Sequence, residues 1–311
     1  MEQNRSSWCW GWSGIGALAA LALALAGGAL RRTELAPPGP VALWAADRDA
    51  GLVYGLDEEL ILACRVRLPA PLALARARDG RLFVLRAPGI LDVLDSGGAF
   101  LRELEVGACL DLDAHEESAL LVQPSGALRI GPDIAPTILL RSPGLCCIAG
   151  SLASVLAGTQ DGRVLRLALD GSGELASAAL GGSIVDLAPA AEPGGSFALD
   201  AAGQRLLCLA PDLALRWQVA LPIAARQIGA VPGEERVWLA DTGSPRVLRY
   251  GPGGALELDR AGLPLLGLER ALAWSGRGAL VCAPGALLQL DARGHLAPGQ
   301  GGFNYLVDLA R

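Results

Sequence analysis

Three carboxylates occupy positions where an apolar residue would be expected. Asp111, Asp186 and Asp308 each interrupt a short apolar run, in LDL, VDLA and LVDLA. A carboxylate carried into apolar surroundings requires a partner. If the three converge, their oxygen atoms suit a hard cation such as Ca²⁺. Otherwise each accepts backbone N–H groups or pairs with an arginine, and fastens one element to the next. A second set of polar residues stands just ahead of similar apolar runs: Arg226-Gln227, Glu269-Arg270 and Asn304-Tyr305. Arg226, Arg270 and Tyr305 are the ligand-binding candidates among them, because arginine offers a fixed fork of donors and tyrosine a rigid amphipathic surface. The plainer reading makes them solvated loop residues.

The rest of the catalytic vocabulary is thin. The chain contains no lysine, which removes Schiff-base chemistry and a phosphate-loop lysine. Its only histidines are His115 and His295, and its only asparagines Asn4 and Asn304. The cysteines Cys9, Cys64, Cys109, Cys146, Cys147, Cys208 and Cys282 show no CxxC and no Cys/His spacing for zinc. Most lie in apolar runs such as LLCLA and ALVCA, as small core residues do. Adjacent Cys146 and Cys147 are expected on opposite faces of a strand, which argues against their pairing. The net charge of −6 is mild and no basic cluster forms a nucleic-acid footprint. No Gly-x-Ser-x-Gly elbow is present. No cofactor is implied, with Ca²⁺ the one ion the three carboxylates suggest; whether any metal binds is left open.

The elements that must position these residues are announced by RVWLADTGSPRVLRYGPGGALELD, from Arg236 to Asp259. It reads as strand, turn, strand, Gly/Pro turn and a weaker third strand, the signal of antiparallel hairpins. Degraded copies recur along the chain. The first hairpin strand returns as ALWAAD, RLFVL, ALLVQ, SVLAG, SFALD and ALVCA, and the second as LVYGL, ILDVL, ALRIG, VLRL, LLCL and LLQL. Alanine and leucine, which dominate the composition, favour helix, but the frequent Gly and Pro interrupt the chain too often for useful helices.

Ahead of each hairpin except the first stands another apolar piece: LALA at 72, LDL at 110, CIA at 147, VDLA at 185, IGA at 228 and ALA at 271. Their spacing of roughly 36–43 residues falls where arrays and propellers occur. The seventh piece is the end of the chain, Leu306 to Ala310, so the last residues supply the strand that the first repeat lacks. That offset closes a ring. The fold expected over 41–311 is all-β, a single seven-bladed β-propeller of four-stranded antiparallel blades. A six-bladed ring is the alternative if the third unit, near Ser118 to Leu140 with Pro124, Pro132 and Pro136, forms no blade. Trp44, Phe83 and Trp238 fall at matching places and are assigned to the core between blades. Asp111, Asp186 and Asp308 would then line the central channel.

VWLADTGSPRVLRYGPGGAL resembles an NHL-type propeller repeat: an apolar strand ending in Asp, a short turn, Arg opening the next strand, then a Gly-rich turn. Asp241 and Arg246 hold those positions. Asp47 keeps the Asp where Gly51 or Leu52 replaces the Arg, while Arg163 and Arg205 keep the Arg in repeats whose Asp is lost or displaced. The resemblance implies fold more than function, since propellers host unrelated activities. Metal-dependent lactonases and gluconolactonases are similar propellers, and likeness to them implies a divalent metal held by Glu, Asn and Asp. Here only Asn304 is available after the leader. A quinone-cofactor dehydrogenase would require a repeated tryptophan motif, whereas Trp217 and Trp274 are isolated.

Residues 1–40 stand apart. Ile15 to Leu30 is an unbroken Ala/Leu/Gly-rich run followed by Arg31-Arg32 and APPGP. It is short for a span of ~20 residues and long for a signal-peptide core of ~7–15. An apolar helix serving as signal peptide or membrane anchor, followed by a Pro-rich linker, is expected. Ala24-Leu25-Ala26 offers a cleavage site, and Trp8, Trp10 and Trp12 suit a membrane interface. Arg31 and Arg32 alone would retain the domain in the cytoplasm; the order of polar start, apolar run and linker favours export to the cell envelope. The function expected is a membrane-tethered or exported propeller that binds or scaffolds a protein, a glycan or a small ligand. The alternative is a lactonase-like metal hydrolase.

Overall fold

The computed structural model describes residues 40–131, 135–151, 153–231, 233–264, 268, 270–274, 278–283, 286–301 and 306–310. The expected apolar helix at 15–30 lies outside them. Among the described residues no helix is long and apolar enough to cross a membrane.

The strands form seven four-stranded antiparallel sheets, each built from consecutive strands except one. That one, blade 1, takes Leu43–Asp47, Leu52–Leu56 and Leu62–Arg67 from the start of the domain and its innermost strand, Leu306–Ala310, from the end. The closing strand runs antiparallel to Leu43–Asp47, with Ala45 opposite Leu309 and Asp47 opposite Leu306. The remaining inner strands are Pro71–Arg76, Asp111–His115, Leu145–Ser151, Ile184–Pro189, Ile228–Ala230 and Arg270–Trp274, in blades 2 to 7. Each coincides with an apolar piece expected from the spacing.

Burial peaks at the second strand of each blade and is lowest at the fourth, and the residue patterns follow. The second strands, such as LWAAD in blade 1, LFVLR in blade 2 and SVLAGT in blade 4, are buried throughout. Sandwiched between neighbouring sheets, they read as continuous apolar runs. The fourth strands alternate between exposed and half-buried residues because only one face meets a neighbour. Trp44 packs against Leu74, Leu82 and Val84 of blade 2, Phe83 against Leu112 and Leu121 of blade 3, and Trp238 against Ala271 and Val281 of blade 7. These aromatics fill the seams between blades, as their matching positions foretell.

The third unit does form a blade, from Asp111–His115, Ser118–Gln123, Gly126–Ile130 and Thr137–Leu140, so the six-bladed alternative is wrong. Pro124 and Pro136 cost no ladder bond: Pro124 sits in the turn between Gln123 and Gly126, and Pro136 lies between the third and fourth strands. Pro132 lies outside the described residues. Gly126 adopts φ 151°, and a Cβ there would stand 2.0 Å from the Leu140 carbonyl oxygen. Close approach of the outer strand therefore requires glycine.

Candidate functional site

The inner strands enclose a central cavity of about 480 Å³, lined by Asp111 and Asp113 of blade 3, Ile148 of blade 4, Asp186 of blade 5, Gln227 beside blade 6 and Leu272 of blade 7. The Ile148 N–H donates to Asp111 Oδ2 at 2.8 Å and the Gly150 N–H to Asp113 Oδ2 at 2.7 Å. The Ile228 N–H donates to Asp186 Oδ2 at 2.6 Å, and the Leu187 N–H to Asp186 Oδ1 at 2.9 Å. An inner strand has a free backbone edge toward the channel. In blades 3 and 5 a carboxylate reaches across to satisfy a donor of the next blade, which pins adjacent blades at the axis. Asp113 was not singled out by sequence, although it lies two residues from Asp111 and so shares its face of the strand.

Burial, followed by the charge of Asp186, holds the Asp111 carboxyl well above the usual carboxylate range; the Ile148 N–H opposes both, and the charge of Asp113 adds a smaller upward push. Asp308 lies on the inner strand of blade 1, opposite Ala46. Among the described residues no three His, Cys, Asp or Glu side chains are grouped to hold a metal ion.

The ligand-binding candidates belong to three consecutive blades. Arg226 is exposed two residues ahead of the blade 6 inner strand and, with Gln204 and Thr242, lines a cavity of about 170 Å³. Arg270 opens the blade 7 inner strand, opposite Cys282. Tyr305 lies outside the described residues, immediately before the blade 1 inner strand. The inner strands of blades 6 and 7, and of blades 7 and 1, are neighbours. Topology thus brings the Arg226 and Arg270 positions to the mouth where inner strands begin.

The features behind the resemblance to a repeat family play structural parts. Asp241 accepts the Ala224 N–H at 3.2 Å and the Gly243 N–H at 2.9 Å, tying its own turn to the segment that leads into the inner strand. Asp200 does the same with Ser183 and Gly203, both at 2.9 Å, and pairs with Arg205 at 2.6 Å. The Asp of that repeat is therefore neither lost nor displaced: Asp200 and Arg205 have the spacing of Asp241 and Arg246. Arg246 itself turns outward to Asp259 at 2.5 Å. In blade 4 the Thr159 hydroxyl replaces the Asp and accepts the Arg163 N–H at 2.7 Å.

The cysteines depart from expectation at one place. Cys147 pairs with Gly158 while Leu145 pairs with Thr159, so Cys146 is the extra residue of a β-bulge. The bulge breaks strand alternation, and both thiols turn to the same side. Cys146 Sγ lies 2.6 Å and Cys147 Sγ 3.7 Å from the Ile184 carbonyl oxygen of blade 5. Cys208, by contrast, is a buried core thiol, which burial pushes up to about 11. His115 is buried with neither ring nitrogen paired, whereas His295 is exposed and meets Asp291 at 3.3 Å.

No known family matches the sequence, and no curated protein does. Solved structures do resemble it. A functionally unknown protein from Desulfotomaculum acetoxidans superposes with a TM-score of 0.72 at 14% identity, covering 86% of this chain and 98% of that one. Apo AztD from Citrobacter koseri gives 0.70 at 12% identity over 86% and 96%. The β-propeller domain of Cps50 (Swd1) from Myceliophteria thermophila gives 0.66 at 14% identity over 79% and 89%. At such identities the likeness is one of fold. The chain is a seven-bladed propeller.

Proposed function

We propose that this chain is a binding or scaffold propeller of the cell envelope, and that its working surface is the mouth where the inner strands begin. Arg226, Arg270 and Tyr305 serve as its anchors. The observation that carries this reading is placement: Arg226 stands two residues before the blade 6 inner strand and Arg270 opens the adjacent inner strand of blade 7, while Tyr305 is adjacent in sequence to the blade 1 inner strand Leu306–Ala310. Asp111, Asp113 and Asp186, deeper in the channel, are engaged in joining blades, which favours the mouth as the surface that contacts a partner. That partner is a protein, a glycan or a small ligand. Loops on a rigid scaffold are where such contacts usually reside.

A photoreactive residue placed at position 226, compared with one at exposed Ser96, tests the assignment. Ser96 lies in the turn between the third and fourth strands of blade 2, at the opposite mouth. Adducts from 226 and none from 96 are expected in cells; the reverse pattern would move the working face to the other mouth. Attachment to the membrane through Ile15 to Leu30 is part of the same proposal, because so apolar a run would otherwise form an exposed adhesive surface. Full-length protein should fractionate with membranes or be shortened by processing, unlike a form beginning at Val41. Equal solubility of the two, with no processing, would refute it.

A further inference from the structure

We propose that Cys146 and Cys147 form a redox-active vicinal dithiol that closes reversibly to a disulfide between adjacent residues by exchange with small disulfides. The bulge at Cys146 supplies the geometry. In a regular strand the two side chains would diverge, but here both sulfurs converge on one acceptor, the Ile184 carbonyl oxygen, at 2.6 and 3.7 Å. Opposite them stands Gly158, where a Cβ would lie 2.5 Å from Cys147 Sγ. The paired strand thus leaves room for a sulfur that any larger residue would displace.

The two thiols differ in the way a nucleophile and a resolving group should. Cys146 is half-buried and Cys147 is buried. A hydrogen bond from the Cys147 thiol lowers the Cys146 thiol from its ordinary value, and the same contact, with burial, raises Cys147. Cys146, the less buried of the two, is therefore the one a reagent can reach. Its thiolate attacks a sulfur of a low-molecular-weight disulfide, forming a mixed disulfide and expelling one thiolate. Cys147 then gives up its proton and attacks Cys146 Sγ, expelling the second thiolate. One small disulfide is reduced to two thiols while the protein loses two hydrogens. Adjacent Cα atoms are ~3.8 Å apart, below the ~4.4–6.8 Å usual for disulfides, so the product is strained and readily reduced. Reversibility follows from that strain.

The test uses the full-length protein and oxidised glutathione. After exposure the protein is unfolded in acid, alkylated, digested and weighed. The peptide holding Cys146 and Cys147 is expected to carry no alkyl group and to be lighter by two hydrogens, and to take up two alkyl groups after treatment with dithiothreitol. Cys146→Ser, at the half-buried position, should keep one alkylatable thiol in that peptide whatever the oxidant exposure. Cys147→Ser should retain glutathione on Cys146. Two alkyl groups on the oxidised wild-type peptide would overturn the proposal. So would stable glutathione on wild-type Cys146, or a bond from either residue to a different cysteine. Because the wild-type measurement decides by itself, a variant that fails to fold does not shelter the idea.

Discussion

Replacing Leu309 by alanine should destabilise the domain by about 3 kcal/mol. Leu309 is 1% exposed and packs among Leu43, Ala45, Leu56, Trp274 and Leu280, which belong to blades 1 and 7. Removing a buried leucine side chain costs ~2–5 kcal/mol. At ~2 °C per kcal/mol for a domain of this size, the melting temperature should fall by roughly 6 °C. Deleting residues 303–311 should do far more. The strand Leu43–Asp47, buried at every position, would become a free edge, and the packed face of blade 7 would lose its cover. Aggregation or loss of cooperative unfolding is expected, measured by calorimetry and light scattering. Leu175→Ala is the control: Leu175 is 58% exposed on the outer strand of blade 4, and its loss should change stability by no more than ~0.5 kcal/mol. A truncated chain that melts like the parent, or a Leu309 variant indistinguishable from the Leu175 variant, would refute ring closure by the C-terminal strand.

Asp111→Asn should raise the melting temperature at neutral pH and lose that advantage in acid. The Asp111 carboxyl is held well above its unfolded value, first by burial and then by Asp186. A group that binds its proton more tightly when folded contributes stability below the unfolded pKa of ~3.9 and loses it as pH rises through the raised value. Asparagine retains an oxygen for the Ile148 N–H without the charge, so the variant-minus-parent difference should grow with pH; a difference independent of pH would contradict the account. Arg86→Ala should cost ~3 kcal/mol or more by chemical denaturation, because it strands the fully buried Asp92 carboxylate that Arg86 pairs with. A cost below ~1 kcal/mol would show that the pair contributes little.

The sequence was most legible where the fold imposes a period. Inner strands recur at blade spacing, and a ring whose ends share a blade leaves an offset that the apolar pieces reveal directly. Trp44, Phe83 and Trp238 were readable as seam residues because each sits in a strand covered on both faces. Blade 3 is obscured in the sequence because its proline count argues against strands, whereas Pro124 falls in a turn and Pro136 between strands. The turn between third and fourth strands carried an unread signature. Asp57, Asp95 and Asp291 each accept the N–H groups two and four residues on, and Leu60, Gly98 and Gly294 follow with positive φ. Leu60 stands where glycine would be expected, and its burial offsets the strain. Asp200 escaped notice as the partner of Arg205, although the spacing of Asp241 and Arg246 points to it. The Cys146 bulge was not readable at all. Alternation is a property of regular strands, and nothing in LCCIA marks the residue that leaves the ladder.

The assignment of the working mouth is tested most directly by the triple variant Arg226→Ala, Arg270→Ala, Tyr305→Ala. The quantity to measure is its affinity for the partner crosslinked at position 226, with the melting temperature recorded beside it. The account predicts affinity at least about tenfold weaker, as loss of anchor residues worth more than ~1 kcal/mol each requires, with melting within ~2 °C of the parent, as for surface substitutions. Unchanged affinity would place the binding surface elsewhere, and a variant that unfolds would make these residues part of the scaffold.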